Sequence, residues 1–248
     1  MSIVPLPRLH LGSPTHRGGL SVFPRLGRRD PGPGSVQRRG RRRRRARGAP
    51  VVGELVAHNQ GAQPALLLAG ELFEGGWQHR ALVHDVVLAP GNLAVVVVSR
   101  YDRAYGPSST GTLLHHLTTV LPSVPPSPDV LAGQRGVLIG IGGQPALLEL
   151  FPDPRSLRRH LPALIASAWL DAGMRPSVPT PGRQARAFVA ALAASGGRRF
   201  RTVSTVDAVD GRAVAGESDH VLARGVLWQD QLAHLTVLNP RHDLMLAA

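Results

Sequence analysis

Between residues 51 and 100 the chain offers four apolar runs of strand length: VVGELVAHN, PALLLAGEL, ALVHDVVLA and LAVVVVSR. Val and Leu dominate them, and Gly, Pro, Asn or Gln punctuates them. The connections QGAQP (60–64) and PGN (90–92) are tight turns. A parallel pair of strands needs a crossover of about a dozen residues, so strands joined this closely are expected to be antiparallel neighbours in a meander or sandwich. With 43% hydrophobic residues the chain can bury a core, and with aromatics at 4% that core is built from Leu, Val and Ala.

The remainder adds helices to this β framework. GLSVFPRLG (19–27) is a further strand. In SSTGTLLHHLTTVLP (108–122) Leu113, Leu114, Leu117, Val120 and Leu121 share one helical face, and Pro122 ends it. SVPPSPD (123–129) is an extended linker. In GVLIGIGGQPALLELF (136–151) Gly142 and Gly143 separate two apolar runs, which predicts a hairpin. Asp153 and Pro154 fit an N-cap and first helical position. Helical spacing then runs from Leu157 to Gly173, with Pro162 expected to kink it or mark a restart. A second helix is expected over about 181–194, with Phe188, Val189 and Leu192 on one side. Strands are expected near 200–206, 212–217, 221–228 and 231–238.

The resulting fold class is α+β: a mainly antiparallel β-sheet or sandwich over 1–122, a Pro-rich linker at 123–130 and a ββααβββ-like part over 131–248. Helices are too few for a doubly wound sheet.

The net charge of +13 suggests nucleic acid until it is dissected. All 29 basic residues are Arg. Residues 38–48 (RRGRRRRRARG) hold eight of them and no acid, and setting those eight aside leaves five of the thirteen net charges. The stretch 28–50 buries nothing and repels itself, so it reads as a disordered insertion. Arg41, Arg42, Arg43, Arg44 and Arg45 would attract polyanions in a salt-dependent way. No aromatics interleave with them for base stacking.

The absence of Cys excludes disulfides, thiolate nucleophiles and Cys-based metal sites. No apolar run reaches the roughly 18–20 residues of a spanning helix. The N-terminal MSIVPLPRLHLG carries prolines where a signal peptide has an apolar core. A soluble cytoplasmic protein with no membrane partner is the expectation. No metal site is expected: His115 and His116 point about 100° apart on a helix, and His84 and Asp85 point to opposite faces of a strand. GPSSTG (106–111) lacks the Lys of a phosphate loop, and GIGGQP (140–145) precedes a strand, not a helix. Nucleophile elbows are absent. The sequence names neither a reaction nor a cofactor.

One stretch concentrates candidate chemistry: GELFEGGWQHR, residues 70–80. Gly75 and Gly76 permit close backbone approach to a ligand. Glu71 and Glu74 can take a cation, a ribose hydroxyl or a base edge. Gln78 and His79 supply donors and acceptors, and Arg80 can hold a phosphate or carboxylate bidentately. A hairpin with solvated charges and Trp77 lying over the sheet is the plain alternative.

Several stretches together resemble one bacterial family, the domain associated with ADP-ribosylglycohydrolases and rhodanese-phosphatases (ARPP). They are RGGLSVFPRL (17–26), QPALLLAGELFEGGWQHRALVHDVVLAPGNLAVVVVS (63–99), GQRGVLIGIGGQPALLELFPDPRSLRRHLPALIASAWLDA (133–172), RFRTVSTVD (199–207) and ARGVLWQDQLAHLTVL (223–238). Gly70, Glu71, Gly75, Gln78 and Arg80 match the family pattern, as does the Ile-Gly-Gly turn at 141–143. Two departures stand out. The Arg-rich stretch replaces a helical segment of the family, and Arg100, Tyr101 and Asp102 replace its Cys-Val-Glu run. The family has no established activity, and its genomic associations imply work near ADP-ribose, NAD or phosphorylated nucleotides. The resemblance therefore implies a small-molecule binder for a nucleotide- or ADP-ribose-like ligand, acting through 70–80. The alternatives are a non-catalytic interaction module serving a partner enzyme, with Trp77 as anchor, and non-specific nucleic-acid binding through the Arg-rich arm.

Overall fold

The computed structural model describes residues 10–26, 54–69, 72–73, 80–100, 125–173, 175–195, 201–202 and 209–246. The Arg-rich arm, the helix expected at 108–122 and most of the 70–80 stretch lie outside these residues. The described chain is mainly antiparallel sheet with few helices, the α+β class expected from the run lengths.

The main sheet has nine strands. Its order is β1 (His10–Leu11), β3 (Leu20–Leu26), β10 (Gln134–Ile141), β11 (Gln144–Leu150), β15 (Gln231–Leu238), β14 (Leu222–Trp228), β13 (Arg212–Glu217) and β12 (Arg201–Thr202), with β2 (Thr15–Arg17) paired to β3. All strand pairs in it are antiparallel. β3 thus sits beside β10, from the far side of the 123–130 linker. The expected turn at Gly142 and Gly143 is present, with φ of 58° and 92°, values that favour glycine. β14 and β15 are joined through Gln229 and Asp230, also at positive φ (48° and 61°), a turn no glycine announces.

The sheet is covered on both faces, which explains why all eight residues of β10 are buried. Helix α1 (Pro154–Gly173) lays Leu157, Leu161, Ile165, Ala168 and Ala172 on one face, against Val137, Ile139 and Ile141. Helix α2 (Gly182–Ser195) lays Ala185, Phe188, Val189 and Leu192 on the other, against Leu138, Leu148 and Leu235. Asp153 caps α1: Oδ1 accepts the amides of Arg155 (2.7 Å) and Ser156 (2.9 Å). α1 runs through Pro162 as one element. The ring lies on the exposed side, and the buried stripe before and after it holds both turns against the sheet, offsetting the one backbone bond that proline cannot make. A short α3 (Asp243–Leu246) follows β15.

The segment 54–100 is not a simple meander. β4 (Glu54–His58) pairs with β9 (Leu93–Arg100), β5 (Ala65–Leu67) with β8 (Val86–Leu88), and β6 (Leu72–Phe73) with β7 (Arg80–Leu82). Each pair is nested inside the previous one, and β7 also joins β9. The two tight connections lead the chain from one pair to the next inner pair instead of closing hairpins. Buried Asn59 holds them side by side: Nδ2 donates to the carbonyls of Gln63 (2.8 Å), Leu88 (3.0 Å) and Ala89 (3.0 Å). Its main chain adds bonds to Gly91 and Asn92. An amide group shared among carbonyls of both corners holds those corners side by side. Leu66, Leu68 and Val87 of this unit enter the core on the α1 face of the main sheet. Asp210 fastens the same unit through its carboxylate, which accepts from the Ala89 amide and from Asn92 Nδ2, both at 2.6 Å.

Candidate functional site

Two ionisable side chains interrupt largely apolar strands of the main sheet: Glu149 in QPALLEL and His234 in QLAHLTVL. The register sets Glu149 opposite Thr236, so Glu149, His234 and Thr236 share one face of the sheet. Leu148, Leu150, Leu235 and Val237 point to the α2 face. On the α1 face the polar three meet Asp85, which immediately precedes β8. His234 Nδ1 donates to Asp85 Oδ2 at 2.7 Å, and its Nε2 donates to Glu149 Oε2 at 2.7 Å. Two further donors reach the carboxylates. The Thr236 hydroxyl donates to Glu149 Oε2 (2.9 Å), and the Ala69 amide to Asp85 Oδ1 (2.9 Å). Phe151 lies over the imidazole, ring centres 4.7 Å apart, and also stacks on His160 of α1 at 5.3 Å.

The side chains of His234, Glu149 and Asp85 are only 3%, 7% and 11% exposed, so water contributes little to their solvation. Burial pushes the imidazole toward its neutral form. The charges and hydrogen bonds of Asp85 and Glu149 outweigh that and raise its pKa from 6.5 to about 10. Burial likewise pushes the Asp85 carboxyl up. The His234 charge and hydrogen bond, with the Ala69 amide, outweigh it and hold the carboxyl below its ordinary value of 3.8. At neutral pH the group is an imidazolium between two carboxylates.

This arrangement differs from a nucleophilic triad. There one imidazole nitrogen faces a carboxylate and the other a nucleophile. Here both face carboxylates, and the nearby hydroxyl of Thr236 donates to Glu149 instead. An imidazole whose two nitrogens both donate to carboxylates has no open nitrogen with which to accept a substrate proton. The group is an ionic clamp between two layers. Its position explains what it clamps. Asp85 ends the excursion that leaves the sheet after Ala69, and its two oxygens tie the first residue of that excursion and the core imidazolium together. The segment between them contains the 70–80 stretch.

Of the residues singled out in that stretch, Glu71, Glu74, Gly75, Gly76, Gln78 and His79 lie outside the described residues, and so does Gly70. The backbone of Arg80 is described: it pairs with Phe73 and with Arg100. Residues 74–79 thus connect two antiparallel strands. Arg41, Arg42, Arg43, Arg44 and Arg45 and the pair His115 and His116 also lie outside. Among the described residues no group of His and carboxylates is placed to hold a metal ion, and no helix is long and apolar enough to cross a membrane. No local spacing announces the clamp. His84 and Asp85, expected on opposite faces of a strand, instead precede β8, and Asp85 meets His234, 149 residues further along. The available signal was an acid and an imidazole, each alone in an apolar strand, because a buried charge requires a partner.

The family model described as the ARG and Rhodanese-Phosphatase-superfamily-associated Protein domain matches residues 8–99 and 97–238 of this chain. No curated protein and no solved structure matches it.

Proposed function

Because this chain belongs to the family of ARG and Rhodanese-Phosphatase-superfamily-associated proteins, we propose that it binds a nucleotide- or ADP-ribose-like small molecule through the stretch Gly70–Arg80. One observation carries this reading: the stretch leaves from and returns to a base closed by Asp85, which is itself locked to the buried His234–Glu149 pair. A binding loop gains affinity when its ends are held before the ligand arrives. Arg80 takes phosphate, Glu71 takes hydroxyls and Gln78 orients the ligand. Gly75 and Gly76 let the backbone come close, and Glu74 and His79 complete the polar rim. ADP-ribose and NAD at saturating concentration are expected to raise the melting temperature of the protein. Arg80→Ala and Glu71→Gln are expected to remove that rise while leaving the unliganded melting temperature in place. A rise that survives both substitutions would assign the ligand elsewhere.

A non-catalytic module acting with a partner enzyme is the second reading. It is favoured by Leu93 and Val95 on β9, 47% and 52% exposed, on the face where Val56 of β4 lies opposite Val95. Leu93→Asp/Val95→Asp is then expected to abolish co-purification of the partner and to leave ligand-induced stabilisation unchanged. Undiminished co-purification would count against this face.

A further inference from the structure

A second concavity lies away from the clamp and the 70–80 stretch. The β10–β11 turn, the β13–β14 turn and the chain leaving β15 converge at one end of the main sheet. There α2 leaves a groove of about 650 Å³, within the range of small-molecule sites. Its floor is apolar: Pro145 from the sheet, and Ala187, Phe188 and Ala191 from α2. Gln184 extends the same helical stripe, since positions 184, 187, 188 and 191 fall at i, i+3, i+4 and i+7. The rim is polar, formed by Gln144, Gln184, His220, Asn239 and Arg241.

The walls are built, not draped. Asn239 Nδ2 donates to the Pro145 carbonyl at 2.8 Å, and its Oδ1 accepts the Arg241 amide at 3.0 Å, so one side chain joins two sides of the groove. The amide of Ser218 donates to the Val221 carbonyl at 2.8 Å and closes the turn carrying His220. Thr180, buried just before α2, donates its hydroxyl to the Gln144 carbonyl at 3.2 Å and its amide to Ser21 at 2.9 Å, which seats the helix against the sheet. None of the described residues lining the groove is acidic, and Arg241 brings a permanent positive charge. Asp243, just beyond Arg241, accepts from Gln144 Nε2 at 3.2 Å.

Apolar side chains, side-chain amides and one guanidinium lining the same groove define a ligand class. We propose that this groove binds a small aromatic phosphate: the ring lies on Pro145, Ala187, Phe188 and Ala191, Gln144 and Gln184 meet the ring edge, and Arg241 takes the phosphate oxygens. The site is separate from the one placed at Gly70–Arg80 and does not depend on it.

Calorimetric titration of the full chain with AMP and with phenyl phosphate tests the assignment, with adenosine and inorganic phosphate as controls. Both aromatic phosphates are expected to bind saturably, and both controls at least roughly tenfold more weakly. Arg241→Ala removes the charge, and Ala187→Trp fills the floor from an exposed helical position. Each is expected to weaken AMP by roughly tenfold or more, with the melting temperature of the free protein retained. Arg80→Ala leaves groove binding intact, so loss of AMP in Arg80→Ala with retention in Arg241→Ala assigns AMP to the hairpin and overturns the groove. No saturable binding of either probe, unchanged affinity in both groove variants, or inorganic phosphate binding as tightly as AMP also overturns it.

Discussion

Replacing His234 with Ala is expected to lower the unfolding free energy by about 3–5 kcal/mol, the range for removing one partner of a buried ionic group. The substitution leaves Asp85 and Glu149 as two buried carboxylates with no cation between them, and it opens a void beside Phe151. Neutralising all three positions in His234→Leu/Asp85→Asn/Glu149→Gln is expected to recover most of the loss. Asn and Gln still accept from Ala69 and Thr236, and a neutral, well-packed group avoids the desolvation cost of the charges. Urea unfolding at neutral pH measures both, with an unchanged denaturant slope showing that the two-state transition is intact. A loss below about 1 kcal/mol in His234→Ala would mean that water, not the imidazolium, neutralises the carboxylates. Amide exchange adds a local reading. The Ala69 amide, bonded to Asp85 Oδ1, should lose protection in Asp85→Ala more than amides of β10 do, because the clamp closes the base of the 70–84 excursion.

Stability is expected to fall as the solution is made alkaline. In the folded protein His234 keeps its proton up to about pH 10, whereas in the unfolded chain it releases it near 6.5. Between those values the folded state binds more protons than the unfolded one, so each rise of one pH unit removes up to about 1.4 kcal/mol. Below 6.5 both states are protonated and the contribution of His234 is complete. Asp85 acts in the opposite direction. Its carboxyl is lowered from 3.8, so its contribution is complete above that value and is lost as pH falls through the lower folded value. These two groups place maximal stability between about 3.8 and 6.5. Urea midpoints measured across pH should show an alkaline limb in the native sequence that is flattened in His234→Gln, whose side chain does not titrate. A native limb that stays level or rises between neutrality and pH 10 would contradict the ionic assignment.

The family assignment and the clamp meet in the stretch 69–85. The five residues that resemble the family pattern, Gly70, Glu71, Gly75, Gln78 and Arg80, lie between Ala69 and Asp85 in the chain. Both ends are fixed by one carboxylate whose charge is balanced in the core. Changes at His234 or Glu149 are therefore expected to alter the ligand binding proposed for this stretch through the loop base.

What could be read from the chain alone was local. The Asp153–Pro154 start of α1, the helical stripe from Leu157 to Ala172, the Gly142–Gly143 turn and the strands around 20–26, 212–217, 222–228 and 231–238 follow from periodicity, caps and turn residues within a few positions of one another. So did the family, through runs of matched residues. Tertiary structure alone decided the partners. Short connectors suggested that β4 would pair with β5, yet Asn59 holds the two corners side by side and β4 pairs with β9. Glu149 and His234 announced that each needs a partner, because a charge in an apolar strand is too costly to leave alone. That Asp85 is the second partner of His234, from 149 residues before it, depends on two layers packing face to face, a contact that no spacing along the chain encodes.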